Sequence, residues 1–292
     1  MLAAAYLVKN ELDILETNLR FHHAMGVEAF AIMDNGSTDG TRELLDELSK
    51  EMPIHIVDKT EHTYQFHKWR KEIVSACRKA FNPDRVICND ADEFWLPRDD
   101  GQSLKNLLNR KEAIITVNRF NMLPTPAMED GSFLNTDLKV SCPIVFSSET
   151  QIEKDSIAML LSTIGPKVAL NPHGLLKLNG GNHRAKHLRF WSKTTVDDIR
   201  VIHFPVRSYA QFEKNVANRT EVIRRKDIKT IRIGDHYRRW ADMLEAGRLR
   251  EEYHNFLFSS EELETLEKIG VVERDSRPSA FIQKIVSESQ SS

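Results

Sequence analysis

Two acidic segments have the residue types and spacing to do chemistry. The first is Asp34-Asn35-Gly36-Ser37-Thr38-Asp39-Gly40-Thr41, and the second is Asn89-Asp90-Ala91-Asp92-Glu93-Phe94. Each follows an apolar run that reads as a buried strand, Ala29–Met33 before the first and Arg85–Cys88 before the second. Carboxylates at a strand end sit at the carboxyl edge of a sheet, where open α/β folds bind their ligands. Asp90 and Asp92 are two residues apart, so an extended strand is expected to turn both to one face. Two hard oxygen ligands on one face suit Mg²⁺ or Mn²⁺, and such an ion suits a diphosphate.

The elements that must carry these segments follow from the apolar spacing. Residues 2–8, 28–33, 53–57 and 85–88 read as strands. Residues 12–25, 39–50 and 65–81 read as the helices between them, with Gly26 ending the first and Asp39 capping the second. This alternation predicts a mostly parallel sheet with helices on both faces. After Pro97 the pattern changes to a short helix at 103–110, a strand at 113–119 and a loop-rich stretch from 121 to 150. Short strands follow within 167–190, then a strand at 199–202. From 208 onward the reading is helical, in pieces near 208–224, 235–248, 260–269 and 278–288. The expected organisation is an α/β domain over residues 1–207, with a helical region, 208–292, packed on it.

Three blocks occur in one order: Val8-Lys9-Asn10-Glu11 after the first strand, the Asp34–Thr41 turn after the second, and the Asp-x-Asp-Glu-Phe segment. Together they resemble the nucleotide-sugar glycosyltransferases of the GT-A fold, most closely the family-2-like enzymes. The resemblance covers roughly residues 1–100. Beyond that it is looser, resting on Gly180-Gly181-Asn182-His183 and Ile202–Ser208. It implies a transfer from a nucleotide-diphosphate sugar, UDP-sugar favoured, to a hydroxyl on a glycan, lipid-linked or small-molecule acceptor, with Mn²⁺ or Mg²⁺ and inversion at the anomeric carbon.

In such a transfer the leaving diphosphate gains negative charge, which a divalent cation or fixed positive groups must stabilise. The resemblance makes Asp92 the most direct metal ligand, Asp90 a ribose contact or indirect ligand, and Glu93 their support. Asn10, Glu11, Asp34 and Asp39 fit the nucleoside end, although Asp39 and Ser37 read equally well as a capping turn. Arg70 or Lys68, at the start of a helix, would reach the nucleotide, and Lys167, Arg184 and Arg207 would offset phosphate charge. The third metal ligand is expected to be His183, with His203 as its rival. The spacing of His183 and His187 lacks the Glu and cysteine partners a zinc site needs. Glu129 and Asp130 are the candidate general base. They come earlier than the family's usual acidic pair, and Glu153 and Asp155 are no better placed.

Composition bounds the alternatives. With 40% apolar and 29% charged residues and a formal net charge of −2, the chain reads as globular, and nothing in its overall charge points to nucleic acid or an anionic membrane. Charge is uneven, however, with 17 Lys and Arg against 8 Asp and Glu between residues 180 and 250. Cys77, Cys88 and Cys142 make no framework and read as buried thiols. No apolar stretch is long enough to span a bilayer, and Met1–Val8 reads as a strand rather than a leader, so a cytoplasmic enzyme is expected, meeting a membrane at most peripherally, at its inner face, through its acceptor. A nucleotidyltransferase would want a Gly-rich, basic loop after the first strand, where this chain has Lys9-Asn10-Glu11-Leu12. A non-catalytic nucleotide- or glycan-binding module on the same fold is the other rival.

Overall fold

The structure is a computed structural model that describes residues 1–59, 66–99, 101–129, 131–145, 156–224 and 235–290. In its first part β1 (Leu2–Val8), α1 (Leu15–Ala24), β2 (Ala29–Asp34), α2 (Thr41–Leu48), β3 (Ile54–Asp58), α3 (Phe66–Phe81) and β4 (Arg85–Asn89) alternate as the spacing predicts. All seven residues of β1 are buried, as for an inner strand covered on both faces. Its side chains divide between two cores. Ala4, Tyr6 and Val8 face α1 through Leu15 and Leu19. Ala3, Ala5 and Leu7 face α3 through Trp69, Ile73, Val74 and Cys77.

Next come β5 (Glu93–Pro97), α4 (Leu104–Leu107), β6 (Ile114–Asn121), α5 (Pro126–Glu129), β7 (Leu138–Val140), α6 (Ser156–Leu161), β8 (Lys167–Leu170), β9 (Leu175–Leu178), β10 (Ala185–His187) and β11 (Lys193–His203). Eight strands join in one mixed sheet, in the order β3-β2-β1-β4-β8-β6-β11-β5. β8 and β5 run against their neighbours, and the other pairings are parallel. The carboxyl ends of β1, β2, β4, β6 and β11 therefore share one edge, marked by Val8, Asp34, Asn89, Asn121 and His203. This is a mixed α/β architecture with helices flanking the sheet, as the sequence implied.

The final part, α7 (Tyr209–Ile223), α8 (Asp235–Glu245), α9 (Leu249–His254), α10 (Ser260–Lys268), β12 (Val272–Arg274) and α11 (Arg277–Gln290), is mostly helical. It has a core of its own around Phe212, Trp240, Tyr253 and Phe256, which Leu123, Leu138 and Leu160 enter from the preceding part. β12 pairs with β7, and α11 returns to α1, where Phe281 meets Phe21 edge to face.

Three expectations change. Asp90 and Asp92 do not lie on an extended strand. β4 ends at Asn89, Ala91 and Asp92 form a turn, and β5 begins at Glu93. The two carboxylates therefore meet different partners instead of sharing a face. α2 begins at Thr41, with Gly40 at its cap in left-handed backbone (φ 100°), and Asp39 accepts from the Thr41 N–H one position outside. Cys77 and Cys88 are buried, but Cys142 is exposed.

Candidate active site

The turn between β4 and β5 splits the acidic segment into two sides. On the first, the Asp90 carboxylate is gripped by Arg70 from α3 and by Lys167 from β8. Burial works against its charge, but these cations outweigh it and hold the pKa well below the usual carboxylate range. Lys167 is fully buried, and its Nζ also meets Glu93 Oε2 at 2.9 Å and donates to the Gly181 carbonyl at 3.1 Å. Glu93 is likewise fully buried and receives Arg119 Nη1 on its other oxygen at 2.5 Å. Here three cations (Arg70, Lys167, Arg119) face two carboxylates (Asp90, Glu93), a local net charge of +1.

On the second side Asp92 Oδ2 lies 3.3 Å from His203 Nε2 and 3.9 Å from Arg207 Nη1. Burial again raises the Asp92 pKa, but His203 and Arg207 more than reverse it, leaving a net lowering. Arg207 is buried and shared. Its Nη2 donates to Glu11 at 2.8 Å, and its Nε donates to Asp13 at 2.6 Å. Burial, together with the nearby Asp92 and Asp13 carboxylates, overcomes Arg207 and pushes the Glu11 carboxyl up to about 8. On this side three carboxyl groups (Glu11, Asp13, Asp92) share one arginine. Burial is the first cause of the raised Glu11, and its two carboxylate neighbours add to it.

The tautomer of His203 is set by its neighbours. The Asn121 amide donates from Nδ2 to the Leu160 carbonyl at 2.8 Å, which turns its Oδ1 toward His203 Nδ1 at 2.7 Å. Nδ1 therefore carries a proton, and Nε2 faces the Asp92 carboxylate, a donor to it when protonated and a free ligand atom when not. An imidazole oriented this way by its far nitrogen is prepared to bind a metal ion. Asp92, Glu93 and His203 are the group among the described residues whose ligand atoms come within 4.8 Å of one another. Glu93 has both oxygens engaged by cations, so Asp92 and His203 are the two side chains left to receive an ion. A carboxylate with an imidazole suits Mn²⁺ better than the all-oxygen preference of Mg²⁺.

The nucleoside-end residues form the rim beside this site. Asp34 accepts from the Gly36 and Ser37 N–H groups, both at 3.0 Å, and from the Ser37 hydroxyl at 2.5 Å, so its carboxylate holds the turn closed. Asn10 sits in left-handed backbone (φ 58°), which Asn tolerates better than most residues. It accepts from Thr38 N at 2.8 Å and donates to Asn218 of α7 at 3.0 Å. Asp39 accepts from Thr41 and from Lys214, and these bonds outweigh its burial to lower its pKa. The turn is thus built from the residues expected to meet the nucleoside, with α7 covering it.

Other expected residues lie apart from Asp92. His183 Nδ1 donates to the Pro166 carbonyl, 2.8 Å away, and is not in the group of ligand atoms. Burial first, then Lys167, lowers its pKa. Its neighbour Asn182 is fully buried, with neither amide atom partnered among the described residues. Glu129 Oε2 accepts from Tyr209 N at 2.8 Å and from the Tyr253 hydroxyl at 2.7 Å, fastening α5 to the C-terminal helices. Lys68 and Arg184 are exposed. Asp130, Glu153 and Asp155 fall outside the described residues. Sequence reading missed Arg119, Asp13 and the orienting role of Asn121. Arg119 and Asn121 are two apart at the end of β6, a spacing that would have put both at the same strand edge.

The sequence profile of glycosyl transferase family 2 matches residues 11–127, the segment that carries both acidic blocks. No curated protein matches the chain. Among solved structures, Staphylococcus aureus TarS (residues 1–349, in complex with UDP-GlcNAc) is 10% identical with a TM-score of 0.45, over 88% of this chain and 73% of that one. Glucosyl-3-phosphoglycerate synthase from Mycobacterium tuberculosis, in complex with Mn²⁺, UDP and glucosyl-3-phosphoglycerate, is 14% identical with a TM-score of 0.39, over 76% of this chain and 77% of that one.

Proposed function

We propose that this family-2-like glycosyltransferase takes a UDP-sugar, requires Mn²⁺, and transfers the sugar with inversion to a hydroxyl of a glycan, lipid-linked or small-molecule acceptor in the cytoplasm. The observation that carries the reading is the opposite charge on the two sides of the Asp90–Glu93 turn. Asp92 and His203 would hold the divalent ion, which supplies Lewis-acid stabilisation of the leaving diphosphate. The ion would also offset the carboxyl groups that outnumber Arg207 on that side.

The chain's own groups do the rest. Arg70 and Lys167 hold positive charge beside the site without reorganising, which is the form of electrostatic stabilisation that costs least as charge develops. The Asp34–Thr41 turn and Asn10 bind the nucleoside through their edge groups. Asp34 acts mainly by fixing the turn, since its oxygens already accept three hydrogen bonds. The acceptor hydroxyl must lose a proton as it attacks. Glu129 is held by Tyr209 and Tyr253, so Asp130 is the better candidate of the pair for that role. No helix among the described residues is long and apolar enough to cross a membrane.

Calorimetric titration of UDP and GDP, each with and without Mn²⁺, tests this on the wild type and on Asp92→Ala. Mn²⁺-dependent binding of UDP that collapses in the variant is the expected result. Binding that ignores both the metal and the substitution would overturn the assignment of Asp92. Slow Mn²⁺-dependent hydrolysis of the UDP-sugar would distinguish an enzyme from a binding module.

A further inference from the structure

The segment from residue 156 to residue 196 contains no Asp or Glu, yet it carries six Lys and Arg. Lys167 is the buried one. Lys177, Arg184, Lys186, Arg189 and Lys193 are exposed, and none has an ion-pair partner among the described residues. The same segment holds four of the large apolar side chains left in solvent: Leu176 (50% exposed), Leu188 (63%), Phe190 (73%) and Trp191 (68%). Phe190 and Trp191 stack edge to face with ring centroids 4.9 Å apart. Leu188 N donates to the Gly174 carbonyl, and His187 pairs with Leu175, so Leu188 lies opposite Gly174, two residues before Leu176. Isolated exposed apolar residues are ordinary, whereas four together, ringed by unpaired cations, mark an interaction surface.

We propose that the surface at the open end of this hairpin, with Phe190 and Trp191 on the link to β11, docks on an anionic lipid bilayer. Tryptophan and phenylalanine favour the headgroup level, and lysine and arginine are drawn by the negative surface potential. A second copy of the chain is a poor occupant, because a symmetric contact would set five exposed cations against another five. The patch lies where β11 begins, since Lys193 pairs with Ile114 at the start of β6. His203 ends the same strand and pairs with Asn121, seven residues along β6 from Ile114, so at about 3.3 Å per residue this end of the hairpin is roughly 23 Å from the site. Docking there turns the catalytic edge away from the lipid, toward acceptors that project into solvent. The inference uses none of the site residues and does not depend on the proposed donor.

Trp191 provides the readout. The other three tryptophans, Trp69, Trp95 and Trp240, are at most 2% exposed, so quenchable fluorescence comes from Trp191 alone. The full-length protein is mixed with vesicles of phosphatidylcholine, with and without phosphatidylserine. The expected result is a blue shift and protection from iodide with the anionic vesicles only, weakening as salt rises. Phe190→Ser/Trp191→Ser should cut sedimentation with those vesicles by roughly tenfold or more, and Arg189→Gln/Lys193→Gln should flatten the salt dependence. Both variants should keep the circular dichroism spectrum and Mn²⁺–UDP binding of the wild type. Equal binding to neutral vesicles, or none to anionic ones, would overturn the proposal. So would a wild-type dimer in light scattering that becomes monomeric in Phe190→Ser/Trp191→Ser, because the patch would then be a subunit contact.

Discussion

The Asp90 side and the Asp92 side of one short turn are only two residues apart in sequence, yet they are electrostatic opposites. Asp90 and Glu93 are outnumbered by Arg70, Lys167 and Arg119, and Asp90 is held ionised far below its usual range. Asp92, Glu11 and Asp13 share the single cation Arg207, and Glu11 is pushed up to about 8. The first side is already balanced and offers positive charge to an anion. The second is short of positive charge and offers an oriented imidazole to a cation. A paired-carboxylate motif is thus not two equivalent ligands. The turn at Ala91-Asp92 makes one of them structural and leaves the other available.

The sharpest way to break this comparison is to neutralise each carboxylate separately. Asp92→Asn should lower kcat/KM on the order of 10³-fold and abolish the Mn²⁺ dependence of UDP binding, because the ligand is lost without a change of shape. Asp90→Asn should lower kcat/KM less and leave the Mn²⁺ titration near that of the wild type. Equal effects on metal affinity would mean that the two sides do not divide the work as described.

Stability reverses the ranking. Lys167→Met removes the buried cation that serves Asp90 and Glu93 while keeping most of its volume. Two carboxylates, one of them fully buried, then lose their partner, and chemical denaturation should report a loss of about 3–5 kcal/mol. Asp92→Asn, which loses only the net favourable balance that His203 and Arg207 give Asp92, should cost less than Lys167→Met. A Lys167→Met protein as stable as the wild type would show that the +1 side is not held by this ion network.

Acid sets the window in which either comparison can be read. His22 is buried behind β5, and burial, only partly opposed by its bond to the Asn18 carbonyl, pushes it down to about 4. Its Nε2 accepts from Trp95 N at 3.3 Å, so a proton there would face an N–H donor. The unfolded chain takes up this proton near pH 6.5, and the folded chain only near 4. The His22 contribution is therefore complete above about pH 6.5 and falls by about 3 kcal/mol as the pH drops toward 4, against the opposite trend of the raised Glu11. Unfolding midpoints measured across that range should show the fall as the difference between the wild type and His22→Gln.

The first strands and helices were legible because each is a buried apolar run or an amphipathic repeat, and β1 to β4 begin and end within about two residues of the expectation. β5 was not. It follows the turn directly, it begins with a glutamate, and its pairing partner β11 lies a hundred residues downstream. The same distance hid the ion network, since Arg119, Lys167 and Arg207 reach the turn from three separate strands or strand ends. That His203 rather than His183 lies beside Asp92 likewise depends on which strand ends the sheet brings to one edge, and local motifs do not carry that information. The exposed hairpin was legible in charge but not in face. The excess of Lys and Arg after residue 180 was visible, but only the pairing of β9 with β10 shows which apolar residues stand among those cations.

Asn121 tests the second side with the mildest change. Its amide is fixed by the Leu160 carbonyl and in turn fixes the proton on His203 Nδ1. In Asn121→Ala the imidazole is free to rotate or to take the other tautomer, with a proton on Nε2 facing Asp92. No ligand is deleted, so binding of UDP without metal should not change. Loss of an orienting partner of this kind typically costs 10–100-fold in metal affinity, so the Mn²⁺ concentration for half-maximal activity should rise by about that factor. Asn121→Asp should restore part of the loss, because a carboxylate also accepts from Nδ1–H. If Asn121→Ala leaves the Mn²⁺ requirement unchanged while Asp92→Asn abolishes it, His203 is a neighbour of the ion and not its ligand. The negative side of the turn would then rest on Asp92 and the residues around Arg207 alone.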